Sequence, residues 1–146
     1  MSEIINQQRK IKFDWQILQS FAEAAIDRIP EAQKKSAAIA FVSDRKMREL
    51  NVTFRGKNST TDVLSFPFEA DEFEKMPDAA ARGFLGDIII SAEQAEKQSK
   101  ENNLDFETEI KQLILHGILH LCGYDHESDG GEMNAKELEL RDKLGI

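Results

Sequence analysis

Residues 106–126 read FETEIKQLILHGILHLCGYDH. Ile110, Leu113, Ile114, Gly117, Ile118 and Leu121 recur at helical spacing and form a broad apolar face, so a deeply buried helix is expected over Phe106–Leu121. Gly123 ends it as a C′ residue would. All three histidines of the chain, His116, His120 and His126, fall in this stretch. A spacing of four rotates a side chain by about 40° and raises it by about 6 Å, so His116 and His120 face the same way. Such a pair can chelate one metal ion. Gly123 lets the chain reverse, and His126 can then return to the same ion as a third ligand.

Upstream, Ala37–Ser43 and Phe84–Ile90 are short apolar runs that read as strands, as does Asp62–Phe66, which Pro67 stops. A first strand is expected within residues 3–13, on Ile4, Ile5 and Ile11. A helix follows to about Arg28, with Asp14 as N-cap and Trp15, Leu18, Phe21 and Ala25 on one face. Asp44 is expected to cap a helix to about Asn51, with Met47 and Leu50 turned inward. Ser91 is expected to cap another, and a last helix runs from about Glu132 to Leu144. Phe68–Gly83 is acidic and aperiodic, an expected exposed loop. The imperfect alternation implies an α+β fold: a small mixed β-sheet covered by helices, with a central buried helix carrying the histidines of an HxxxHxxxxxH metal site. Residues 1–146 are expected to form one domain, since no linker, repeat or low-complexity segment divides them.

Composition removes several classes of function. No run of about 18 apolar residues exists, so no transmembrane helix is expected, and the charged N-terminus does not read as a secretory signal. The single cysteine, Cys122, cannot form an internal disulfide, which fits a reducing cytosol. A net charge of −8 speaks against a protein that coats nucleic acid generally. Charge is uneven, however: Arg45, Lys46, Arg48, Arg55 and Lys57 lie close together, a segment that can meet a polyanion locally or simply form a solvated face.

Neutral imidazoles suit zinc and neighbouring divalent ions. Three protein ligands leave a position for water, the open arrangement of a catalytic site, where the metal lowers the water's pKa toward about 7. One Zn2+ is the expected cofactor, other divalent transition metals being possible. A structural zinc would want a fourth ligand, commonly cysteine. Cys122 sits about 200° round the helix from His120 and is expected to point away, a small buried residue. The spacing also matches the metzincin pattern H-E-x-x-H-x-x-G-x-x-H, but Gly117 stands where a metalloprotease keeps its general-base glutamate, so a protease is disfavoured.

With these residues in place, the chain resembles the YbeY family of bacterial ribosomal RNA maturation factors. The family's H-G-x-L-H-L-x-G-Y-D-H is met at every fixed position by His116–His126. Arg55 followed by Thr61–Pro67 (TDVLSFP) and Leu85–Ile88 (LGDI) match two further segments. The resemblance implies a cytoplasmic, metal-dependent single-strand endoribonuclease acting in 16S rRNA 3′-end maturation and ribosome quality control. Its partners would be RNA of the small ribosomal subunit and ribosome-associated proteins, with no DNA or membrane partner. His116, His120 and His126 are the expected metal ligands, and His116 and Arg55 the expected catalytic residues. A guanidinium fits phosphate oxygens bidentately and can meet charge developing on phosphorus, although a solvent-exposed loop arginine is the alternative. Asp62 and Asp87 read either as carboxylates orienting a histidine or as turn residues. Asp125 is a candidate proton acceptor, and Met133 reads as a core residue. The competing readings are a non-catalytic ribosome-assembly factor with a structural metal, and a metallohydrolase of another substrate class.

Overall fold

A computed structural model of the chain describes residues 2–68, 83–125 and 127–146. Among them are four strands: β1 (Glu3–Asn6), β2 (Ser36–Val42), β3 (Val63–Pro67) and β4 (Phe84–Ser91). They form one mixed sheet in the order β1-β2-β4-β3, in which β1, β2 and β4 run parallel and β3 pairs antiparallel to β4 at one edge. The described helices are α1 (Trp15–Asp27), α2 (Asp44–Arg55), α3 (Ala92–Glu101), α4 (Phe106–Leu121) and α5 (Glu132–Leu144). None of them is long and apolar enough to cross a membrane.

Strand alternation divides the core between the two faces of the sheet. Ile39 and Phe41 of β2 and Ile88 and Ile90 of β4 pack against α1 and α4, with Leu18, Ala25, Ile110, Ile114 and Ile118 in the same cluster. Val42 and Ile89 face the opposite way, onto Met47 of α2 and Leu64 of β3. Helix α4 thus lies on the larger core, and both of its ends are capped. Asp105 accepts a hydrogen bond from the Thr108 amide at 2.7 Å. At the other end Gly123, at φ 96°, donates to the His120 carbonyl and Tyr124 to the Leu119 carbonyl, the paired bonds of a Schellman motif.

Two expected boundaries and one expected inward-facing residue differ, each for a local reason. The first strand stops at Asn6 because the buried Gln8 side chain donates to the Ile11 carbonyl and accepts from the Ile11 amide, closing a turn. Trp15 stays half exposed, so the buried stripe of α1 begins at Leu18. Helix α2 runs one turn beyond Asn51, until Gly56 at φ 66° caps it, and its N-cap is Ser43 rather than Asp44. The loop expected over Phe68–Gly83 falls mainly on residues 69–82, outside the described residues.

Asp44 instead ties three elements together. Its carboxylate accepts from Thr60, from Ser91 at 3.0 Å and from Gln94 at 3.2 Å, joining the start of α2 to the approach to β3 and the start of α3. Burial pushes the Asp44 pKa up, but these hydrogen bonds and the nearby Arg48 outweigh it and hold the carboxyl below its ordinary 3.8. A depressed carboxylate pKa stabilises the fold fully above the ordinary value and loses that contribution as pH falls through the folded value. Asp44→Ala is expected to cost about 1–3 kcal/mol in urea denaturation at pH 7. Its stability should also fall less steeply than the wild type's below pH 3.8; parallel acid limbs would refute the assignment.

Candidate active site

Helix α4 carries His116 and His120 to the edge of the sheet, beside β3. A cavity of about 520 Å³ opens between them, lined by Arg55, residues 61–67, His116, His120, Asp125 and Glu127. The two imidazoles meet edge to face, with ring centroids 4.6 Å apart, and their Nε2 atoms approach to 3.1 Å. Two nitrogens bound to one tetrahedral zinc at 2.0–2.1 Å would lie about 3.3 Å apart. The observed separation fits two ligands of one ion.

The other nitrogen of His116 has a partner of its own. Nδ1 lies 2.6 Å from Oε1 of Glu137 on α5, and Arg141 reaches the second oxygen, Oε2, at 2.7 Å. Burial pushes the Glu137 pKa up, but the hydrogen bond from His116 and the Arg141 guanidinium together hold it below the usual carboxylate value. Glu137 is therefore an anion and can only accept, which puts the His116 proton on Nδ1 and turns the Nε2 lone pair toward His120. A second cavity, of about 540 Å³, borders this pair and shares Asp62, Val63 and His116 with the first.

The other expected residues distribute unevenly. Arg55, exposed at the last position of α2, lines the cavity with the histidines. Of the remaining basic segment, Arg45 and Lys46 both lie 3.8 Å from Glu49 on the solvated face of α2, and none of Arg45, Lys46, Arg48 and Lys57 lines the described cavity. Asp62 lines both cavities and accepts from the Val63 amide at 2.8 Å. Asp87 lies on β4 with its side chain exposed. Asp125 accepts from the Glu127 amide and the Ser128 hydroxyl, each at 3.0 Å, and so holds the turn after α4. Met133 is buried in the core. Cys122 packs half-buried against that core, and burial, then Glu31, pushes its thiol up to about 11, so it is a neutral thiol at physiological pH. His126 lies outside the described residues. Among the described residues, then, two of the three expected ligands are seen to converge.

Sequence reading missed Glu137 and Arg141. Their i,i+4 spacing on a charged helix looks like an ordinary surface pair, and nothing in the sequence ties Glu137 to a histidine 21 residues away.

Comparison with known proteins adds a family. A model described as endoribonuclease YbeY matches residues 3–145. Endoribonuclease YbeY of Nautilia profundicola is 46% identical over 112 residues, which cover 77% of this chain and 74% of that protein. The Thermodesulfovibrio yellowstonii endoribonuclease YbeY is 37% identical over 153 residues, covering 95% and 92% respectively. A Thermotoga maritima protein solved in solution superposes with a TM-score of 0.65 at 28% identity, covering 99% of this chain and 89% of that one.

Gly117 explains why the position after the first histidine holds no glutamate. A Cβ placed there would meet Cδ1 and Cγ2 of the fully buried Ile88, each at 2.9 Å. That helix face is pressed against β4, with no room for a carboxylate. Overpacking of this kind costs about 1–3 kcal/mol, against about 1 kcal/mol gained when alanine replaces a helical glycine. Gly117→Ala should therefore lose up to about 2 kcal/mol in urea denaturation, with part restored by Ile88→Val. A variant more stable than the wild type, the outcome that helix propensity alone would give, would show that the helix has room to move.

Proposed function

The chain belongs to the endoribonuclease YbeY family, and from that membership we propose that it cleaves single-stranded RNA in the cavity between β3 and α4, on a zinc-type divalent ion. The observation that carries the proposal is the 3.1 Å approach of the His116 and His120 Nε2 atoms in the cavity that Arg55 also lines. His116, His120 and His126 would hold the ion, His126 being included on its place in the motif. Bound there, a divalent cation supplies Lewis acidity and an activated water at neutral pH.

The chain's own groups do the rest. Arg55 offers a planar guanidinium at the end of a helix, able to grip two phosphate oxygens and to meet the charge that grows on them during cleavage. His116 is held in one tautomer by Glu137, so its Nε2 is presented to the cavity without a proton. Edge strand β3 forms one wall, so a single strand can enter from the open side. The setting in this reading is the cytoplasm, with RNA of the small ribosomal subunit as substrate, in 16S rRNA 3′-end maturation and ribosome quality control. Family membership alone supports that assignment.

The test compares wild type, His116→Ala and Arg55→Glu on end-labelled single-stranded RNA. Cleavage should fall to background for His116→Ala and by about 100-fold or more for Arg55→Glu, the cost of removing one group that stabilises a developing anion. A chelator should silence the wild type, and added zinc should restore it but not His116→Ala. Equal cleavage by all three proteins would identify a contaminating nuclease and overturn the proposal.

A further inference from the structure

We infer that Glu137, clamped by Arg141, is a positioning residue for metal capture, which makes the C-terminal helix α5 part of the metal centre although it carries no motif residue. The inference rests on the metal reading above.

An imidazole left to itself populates two tautomers, and only a nitrogen without a proton can bind a cation. For His116 to offer Nε2, something must keep the proton on Nδ1. Glu137 meets that need by accepting from Nδ1 at 2.6 Å. Its own freedom is removed in turn, because Glu137 is buried and Arg141, one helical turn on, holds Oε2 at 2.7 Å. Each carboxylate oxygen thus has a different task, one facing the histidine and one facing the guanidinium. Met133 and Leu140 anchor the same helix in the core, so the carboxylate is presented from a rigid element rather than from a loop. His116 gains an orientation from this arrangement as well as a tautomer: its Nε2 is aimed at the Nε2 of His120.

A purely structural role makes a different prediction. If the Glu137–Arg141 pair served only to fasten α5 against α4, its removal would lower stability and leave the His116 tautomer and the metal affinity unchanged. Two measurements on the full chain separate the possibilities. The first is nitrogen-15 NMR of the imidazole rings in metal-free protein at a pH where they are neutral. The second is zinc affinity by competition with a chromophoric chelator. Both are applied to wild type, Glu137→Gln, Glu137→Ala and Arg141→Ala, with circular dichroism to confirm folding.

The wild type should carry the His116 proton on Nδ1, and Glu137→Ala should shift population to the Nε2-protonated form. Zinc affinity should fall about 10–100-fold in Glu137→Ala, the usual cost of losing a carboxylate that orients a ligating histidine. Glu137→Gln, whose amide oxygen can still accept from Nδ1, should lose less, and Arg141→Ala should fall between wild type and Glu137→Ala. Should Glu137→Ala prove unable to fold, Glu137→Gln and Arg141→Ala carry the comparison. Unchanged tautomer and affinity in a folded variant, beside a wild type that binds zinc, would overturn this inference alone. A wild type that keeps the Nδ1 proton yet binds no zinc would overturn the metal reading and, with it, the purpose assigned to Glu137.

Discussion

The close contact between α4 and β4 is the constraint on which the site depends. At Gly117 the helix lies so near the sheet that Ile88 occupies the space a side chain would need. One turn later Leu121 packs within 3.0 Å of the position a Cβ would take on Gly86. Gly86 itself sits at φ 141°, where a Cβ would strike the Phe66 carbonyl oxygen at 2.3 Å. Glycine is required on both sides of the contact. The result is a helix whose rotation about its own axis is set: with Gly117 against the sheet, His116 and His120 emerge at its edge beside β3. Ile110, Ile114, Leu115, Ile118 and Leu119, all fully buried, keep it there. Each contributes about 1.5–3 kcal/mol of burial free energy, far more than a pair of imidazoles could lose by being held in one orientation.

Two polar networks complete the frame. Asp44 gathers hydrogen bonds from Thr60, Ser91 and Gln94, and so relates the starts of α2 and α3 to the approach to β3. Glu137 gathers His116 and Arg141, and so relates α5 to α4. Both carboxylates sit in surroundings that would raise the pKa of an unpartnered acid, and in both the partners reverse the effect. The difference lies in what they hold. Asp44 organises backbone-capping groups and hydroxyls, which is structural work, whereas Glu137 acts on a ring whose second nitrogen faces the cavity.

How much of this could be read from the sequence depended on whether the signal was local. The end of α4 was legible because Gly123 is a capping residue with chemistry of its own, and the span expected for the last helix, Glu132–Leu144, is that of α5. Convergence of His116 and His120 was legible because it follows from helical rotation alone. The first strand was overextended because nothing in residues 3–13 reveals that Gln8 folds its side chain back onto the Ile11 backbone. The extra turn of α2 was hidden because Gly56 was not taken as its cap, yet that turn carries Arg55 to the cavity. Glu137 was out of reach for a stronger reason. Its role exists only once α5 has folded against α4, and a Glu-x-x-x-Arg spacing on a polar helix is compatible with no role at all.

The electrostatics of the cavity bear on why an acidic protein can act on a polyanion. Its described lining sets one guanidinium, Arg55, against three carboxylate side chains, Asp62, Asp125 and Glu127. That excess of two negative charges would repel a phosphodiester, and the net charge of −8 on the whole chain does nothing to offset it. A single divalent cation on the histidines would cancel the excess at the place where phosphate must approach, and Arg55 would then face an anion in a locally neutral setting. Substrate admission and metal occupancy become linked on this view, since RNA would gain its foothold only where the ion is already held.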